Sequence, residues 1–121
     1  MLLPAAAPAM DGHVGRDGTV LLVDGPFSTG LSKSFRLRLI EAVVAAGDDL
    51  PVILLLNSEG GLEREAADIR AVIALFRASG VVFEARVNYL QRCDALCLGI
   101  ADAANHRRID LGAASPLPPA R

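Results

Sequence analysis

The residues of this chain that can do chemistry gather at two places. The first is Asn57-Ser58-Glu59-Gly60-Gly61, where an apolar run passes through a turn into a helical pattern. Paired glycines let a backbone approach a ligand with no Cβ in the way. At the head of a helix, their N–H groups point outward and can hold an oxyanion. A strand-to-helix turn that merely needs glycine would look the same. It is not a phosphate loop, because GxxxxGK[ST] with its lysine and GxGxxG are both absent. The second place is Cys93-Asp94-Ala95-Leu96-Cys97, at the start of a small-residue stretch that reads as helix. On a helix this spacing puts both thiols on one face but does not favour a disulfide. No second Cys/His pair stands at ligand spacing, so a zinc site is not implied, and no cofactor is either. Two buried thiols on a core face are expected.

Nucleophile candidates are few. Ser58 sits at the head of a helix, where capping is its simplest role. Cys97 would need a lowered pKa, and only Arg92 stands near it in sequence. Ser115 lies in a proline-rich tail. The two histidines, His13 and His106, are far apart in the chain.

These residues need a scaffold, and the pattern supplies alternating strands and helices. Thr19–Val23 is a short apolar run ended by Asp24-Gly25-Pro26, a strand and its turn. Residues 31–46 read as a helix, with Leu31, Phe35, Leu39 and Val43 in a stripe that Ile40 and Val44 widen. Gly47 suits its C-terminal end. Residues 51–57 are apolar on both faces, as expected of a parallel strand covered by helices on each side. Residues 62–79 read as a helix with the stripe Leu62, Ala66, Ile69, Ile73 and Phe76. Glu63 and Glu65 lie at its positive end, and Gly80 closes it. Residues 81–87 read as a strand, 93 to about 105 as a helix, and 106–110 as a brief strand. Such alternation implies an α/β fold with a mainly parallel sheet and right-handed crossovers.

The chain has 121 residues, enough for one domain. We expect a flexible leader over 1–17, the domain over 18–114 and a loose tail over 115–121. The net charge is −2 and aromatic residues are 4% of the chain. That argues against nucleic-acid binding, which needs a basic stripe or stacking platforms. The apolar start is broken by Pro4 and Pro8 and is too short for a membrane span. With no signal peptide and no disulfide framework, the cytoplasm is the default compartment. Hydrophobic residues make up 52% of the chain, which excludes disorder and leaves apolar surface for a partner.

The glycine turn, the helix and strand after it, and the Cys93–Cys97 segment together resemble the Clp-protease and crotonase-like superfamily. The likeness is closest to bacterial Clp-protease-like proteins and spans roughly residues 18–114. In these an Asn-Ser-Pro-Gly-Gly turn precedes a Cys-x-Ser-x-Cys or x-x-Ser-Ala-Gly nucleophile segment. The resemblance implies a spiral ββα-type core, here truncated, and a homo-oligomer assembled through helical faces. It places the nucleophile position on Ala95, and a methyl group cannot attack a carbonyl. It places the oxyanion hole on backbone N–H groups of Gly60 or Gly61 and of Leu96. The family's histidine would fall near 114–118, where this chain has none. Glu59 replaces the family's proline, and a carboxylate there opposes developing negative charge. The expected function is a pseudoprotease: a scaffold that binds peptides or assembles without hydrolysing them. Two alternatives remain. One is an active serine or cysteine peptidase using Ser58, Cys97 or Ser115. The other is a regulatory interaction module resembling the anti-sigma-factor-antagonist (STAS) family, switched by phosphate on Ser58.

Overall fold

A computed structural model describes residues 11–110 of the chain. The first ten residues of the expected leader, Ser115, the proline-rich tail and the 114–118 region lie outside the described residues. The elements run β1 His13–Asp17, β2 Val20–Asp24, α1 Leu31–Ala46, β3 Val52–Asn57, α2 Glu63–Ala78, β4 Phe83–Val87, α3 Ala95–Ala103 and β5 His106–Ile109. They form a mixed α/β fold with one five-stranded sheet in the order β1-β2-β3-β4-β5. β1 is antiparallel to β2, and every other neighbouring pair is parallel. Each parallel step is bridged by one helix, the connection such a pair requires.

β1 falls inside the stretch expected to be leader. Its sequence, His-Val-Gly-Arg-Asp, has little apolar alternation to mark a strand. A tight turn folds it onto β2, with Asp17 opposite Val20 and Gly18 at φ 60°. That positive φ suits a two-residue hairpin turn and costs glycine nothing.

The core lies on one side of the sheet. Leu21, Leu54 and Ala85 are cross-strand partners and all are buried. Phe35 and Leu39 of α1, Ile69 and Ile73 of α2, and Ile100 of α3 join the same cluster. All three helices therefore pack on this one face, and the expectation of helices on both faces of β3 is corrected. Ile53 and Leu55, which point the other way, are only half-buried. Their apolar character invited the two-sided reading, but apolar side chains on adjacent strands also shelter one another.

α1 keeps its expected ends, and Gly47 donates its N–H to Val43 O at 3.1 Å. Its stripe of Leu31, Phe35 and Leu39 is buried as expected, with Val43 packed against the core, but it widens on the opposite flank from the expected one. Ala42 and Ala46 are buried, while Ile40 and Val44 are 47% and 77% exposed.

α1 also lacks a cap of its own, since Gly30 offers no side chain. The need is met from α2. The Glu65 carboxylate accepts from Ser32 N at 2.8 Å and from Gly30 N at 3.2 Å. These bonds, the one from Ser32 foremost, hold the Glu65 carboxyl below its ordinary pKa, against the opposing pull of burial. Across the layers, Arg16 of β1 reaches Glu41 of α1 at 3.2 Å, and Arg107 of β5 pairs with Asp102 of α3.

Candidate functional site

The candidate residues meet beyond the C-terminal ends of β2 and β3. Chain direction explains this: parallel strands deliver their following loops to one end of the sheet. After Asn57, the turn Ser58–Leu62 leads into α2. Gly60 and Gly61 both take positive φ, 118° and 134°. Gly61 lies edge to edge with Phe27: Phe27 N donates to Gly60 O at 2.7 Å and Leu62 N to Phe27 O at 2.8 Å. A Cβ on Gly61 would stand 2.5 Å from Phe27 N. A Cβ on Gly60 would stand 2.5 Å from Asp94 Oδ2. One glycine thus admits a neighbouring strand segment, and the other admits a carboxylate.

Ser58 does not cap α2. The helix starts after Leu62, with no side-chain cap. Ser58 is 2% exposed, and its hydroxyl folds back on Gly60, accepting from Gly60 N at 3.3 Å. Its backbone instead bridges the other candidate segment. Ser58 N donates to Arg92 O at 2.7 Å, and Asp94 N donates to Ser58 O at 3.2 Å. The glycine turn and the Cys93–Cys97 segment are therefore laced together.

At the head of α3, Ala95 is the first helical residue and is exposed. Leu96 follows in the first turn, where N–H groups have no intrahelical partner. Asp94 is the N-cap, and its Oδ1 accepts from Cys97 N at 3.0 Å. Its Oδ2 faces Gly60. A carboxylate thus sits between the helix N-terminus and the glycine turn, where it gains from the helix dipole. It was missed in the sequence reading, which assigned the opposing charge to Glu59. Glu59 is instead turned outward, and its Oε2 pairs with Arg92 Nε at 2.9 Å.

The cysteines also depart from expectation. Cys93 and Cys97 form a disulfide, with Cα atoms 5.0 Å apart. Helical i, i+4 geometry does not apply, because the helix begins only at Ala95. Cys93 lies in extended chain beside Ser58, and the bend at Asp94 (φ −78°, ψ −170°) folds it over the first turn. In this state Cys97 has no thiol to ionise, so it offers no nucleophile. The bond also removes one of the two grounds for the cytoplasmic default.

A cleft of about 630 Å³ opens at this end, lined by Asp24, Asn57, Gly60, Gly61, Leu90 and Arg92 among others. Ser58, Ala95, Leu96 and Cys97 lie outside its lining. Asn57 organises one wall, donating to Asp24 Oδ1 at 2.7 Å and accepting from Arg92 N at 2.9 Å. Leu90 overhangs it at φ 68°, 69% exposed, a conformation unusual for a side chain of its size. Only the run of Asn57, Gly60 and Gly61 was legible from spacing; Asp24, Leu90 and Arg92 arrive by folding. Neither histidine lines the cleft. His106 starts β5 and borders a groove at the opposite end of the sheet, while His13 is the cross-strand partner of Asp24 on β1. Among the described residues no group of three metal-ligating side chains gathers, and no helix is long and apolar enough to cross a membrane.

No family model matches this chain, and no curated protein matches it. Among the solved structures similar to it are two of a putative enoyl-CoA hydratase from Thermobifida fusca YX. The complex with acetoacetyl-CoA shares 14% identity at a TM-score of 0.41, over 89% of this chain and 54% of that one. The complex with CoA shares 13% identity at a TM-score of 0.43, over 89% and 52%. This chain spans about half the length of that protein. A likeness of this degree assigns no activity and no fold finer than the mixed α/β sheet described above.

Proposed function

We propose that this is a Clp-protease-like domain of the crotonase-like superfamily that binds peptide segments without hydrolysing them. One observation carries the reading: Ala95 presents a methyl group at the head of α3, beside the glycine turn, where the resemblance calls for a hydroxyl. The Asp94 carboxylate strengthens it. A negative charge against Gly60 opposes an oxyanion developing beside it. Gly61, which lines the cleft, offers the backbone N–H suited to a peptide carbonyl there, whereas Leu96 lies outside it. The cleft offers mixed charge from Asp24, Glu59 and Arg92 and an apolar lip from Leu90, which suits an extended peptide. The resemblance also implies assembly into a homo-oligomer.

The alternatives are less well supported. A peptidase using Ser58, or a STAS-like module phosphorylated there, needs an accessible hydroxyl, and Ser58 is 2% exposed. A peptidase using Cys97 needs a free thiolate.

The test is hydrolysis of unstructured casein and a fluorogenic peptide set, with Ala95→Ser in parallel and peptide binding read by fluorescence anisotropy. The expected result is binding without turnover by the natural chain, with binding weakened by Arg92→Glu. Turnover by the natural chain, or no binding of any peptide, overturns the proposal. Turnover gained by Ala95→Ser would locate a working oxyanion hole.

A further inference from the structure

The face of the sheet away from the helices carries an ordered pattern that nothing among the described residues covers. Cross-strand pairing sets it out in rows. One row runs Asp17, Val20, Ile53, Glu84, His106, and the next runs Gly15, Leu22, Leu55, Arg86, Arg108. Val20, Leu22, Ile53 and Leu55 make an aliphatic centre two strands wide. The β1 edge is acidic at Asp17. The β5 edge is basic at Arg108, with His106 beside it. On the helix side, the edge charges Arg16 and Arg107 are both paired. On the open side, Asp17 and Arg108 form no ion pair among the described residues, while Glu84 and Arg86 pair with each other at 2.6 Å.

Gly15 is the second observation. It stands inside a strand, where glycine is unfavourable unless something approaches closely. Its φ is not positive, and a Cβ there would meet nothing within 4 Å. Nothing in its own surroundings explains it.

We infer that this face packs against the same face of a second copy, about a two-fold axis parallel to the strands and over β3. Such an axis lays β1 of each copy across β5 of the other. Asp17 then faces the partner's basic edge, and the notch at Gly15 receives the Arg108 side chain. Ile53 and Leu55 of β3 meet their own copies at the centre, as in aligned sheet packing, and Val20 and Leu22 of β2 lie over the partner's Glu84–Arg86 pair. The charges select this axis. A two-fold axis across the strands would lay β1 on the partner's β1 and β5 on its β5, bringing like charges together at both edges. The two-fold contact is isologous, so each complementary edge pair occurs twice. This surface gives the assembly in the proposed function a location distinct from the helical faces that the resemblance implies. Neither casein hydrolysis nor peptide anisotropy bears on it, so the two proposals fail separately.

The test is sedimentation equilibrium across the micromolar range. A species of twice 12.7 kDa is expected. Asp17→Arg and Arg108→Asp should each raise the dimer Kd by about tenfold or more, and combining them should restore it. Gly15→Val, whose Cβ meets no described atom within 4 Å, should keep the natural circular dichroism spectrum yet raise Kd likewise. A monomer throughout, an assembly whose Kd none of these changes moves, or a double variant no tighter than the singles each overturns the inference.

Discussion

Gly60 and Gly61 are adjacent but meet different obstacles, and that difference can be measured. A Cβ on Gly61 would strike the backbone of Phe27, 2.5 Å from its N and 2.6 Å from its O. A Cβ on Gly60 would strike the end of a side chain, Asp94 Oδ2. Both positions also strain any non-glycine residue through their positive φ, at about 1–3 kcal/mol each. Gly61→Ala should therefore cost more stability than Gly60→Ala in urea denaturation. Asp94→Ala should recover part of the loss from Gly60→Ala and none of that from Gly61→Ala. Equal coupling of both glycines to Asp94 in the double-mutant cycles would contradict the assigned contacts. At this scale the sequence was half legible. The glycine pair marks a close approach, but which groups approach is decided by Phe27 and Asp94, distant in the chain. Asp94 did carry a local signal: an Asp directly before an apolar helical run is an N-cap pattern. Starting the helix there would have put Cys93 outside it and removed the geometric objection to a disulfide.

At the scale of elements, two links join parts that the sequence pattern treats separately. The first is Glu65, which belongs to the first turn of α2 and caps α1. Its folded pKa is lowered from 4.5, so its contribution is present above that value and is lost as pH falls through the folded pKa. Stability of the natural chain should drop as pH goes from neutral to about 3. Glu65→Gln should be less stable at neutral pH by about 1–2 kcal/mol and should show a shallower decline. Matching pH slopes in the two proteins would rule out this role. The second link is the disulfide, which ties the segment bridged to Ser58 to the first turn of α3. Thiol titration of the denatured, unreduced chain should find no free thiol, and reduction should release both. The closed loop is short, so chain entropy sets the stability lost on reduction at about 2 kcal/mol; an unchanged melt would mean the clasp does no structural work. Helix and strand identities were legible because burial follows simple periods: Leu31, Phe35 and Leu39 in α1, and Val52, Leu54 and Leu56 in β3. The flank of α1 was not, since Ala42 and Ile40 are both apolar and only packing against the sheet decides which is covered.

The described residues form two layers, one sheet with helices on a single face, and stability should be graded across the strand order. Composition could not reveal the bare face, because Ile53 and Leu55 are as apolar as the buried Leu54 between them. Nor could it reveal β1, whose pairing is set by a turn at Gly18 and whose short sequence shows little apolar alternation. β3 is hydrogen-bonded on both sides, and its Val52, Leu54 and Leu56 are at most 1% exposed. Among the described residues β5 is bonded on one side only, and all four of its residues are exposed. Amides therefore open locally at β5 without disturbing the core, whereas those of β3 open only when the core separates. Native-state hydrogen exchange should show β3 with opening free energies equal to global unfolding and moving in step with denaturant. β4 should follow, and β5 should exchange at much lower cost with little denaturant dependence. β1 should fall between them, since Val14 packs on the core and Arg16 is tied to α1 through Glu41. Packing of a second copy on the open face would cover side chains and leave the outer backbone edges of β1 and β5 unpaired, so the order should hold in monomer and dimer alike. Protection of β5 equal to that of β3 would mean that a further strand or chain segment completes that edge.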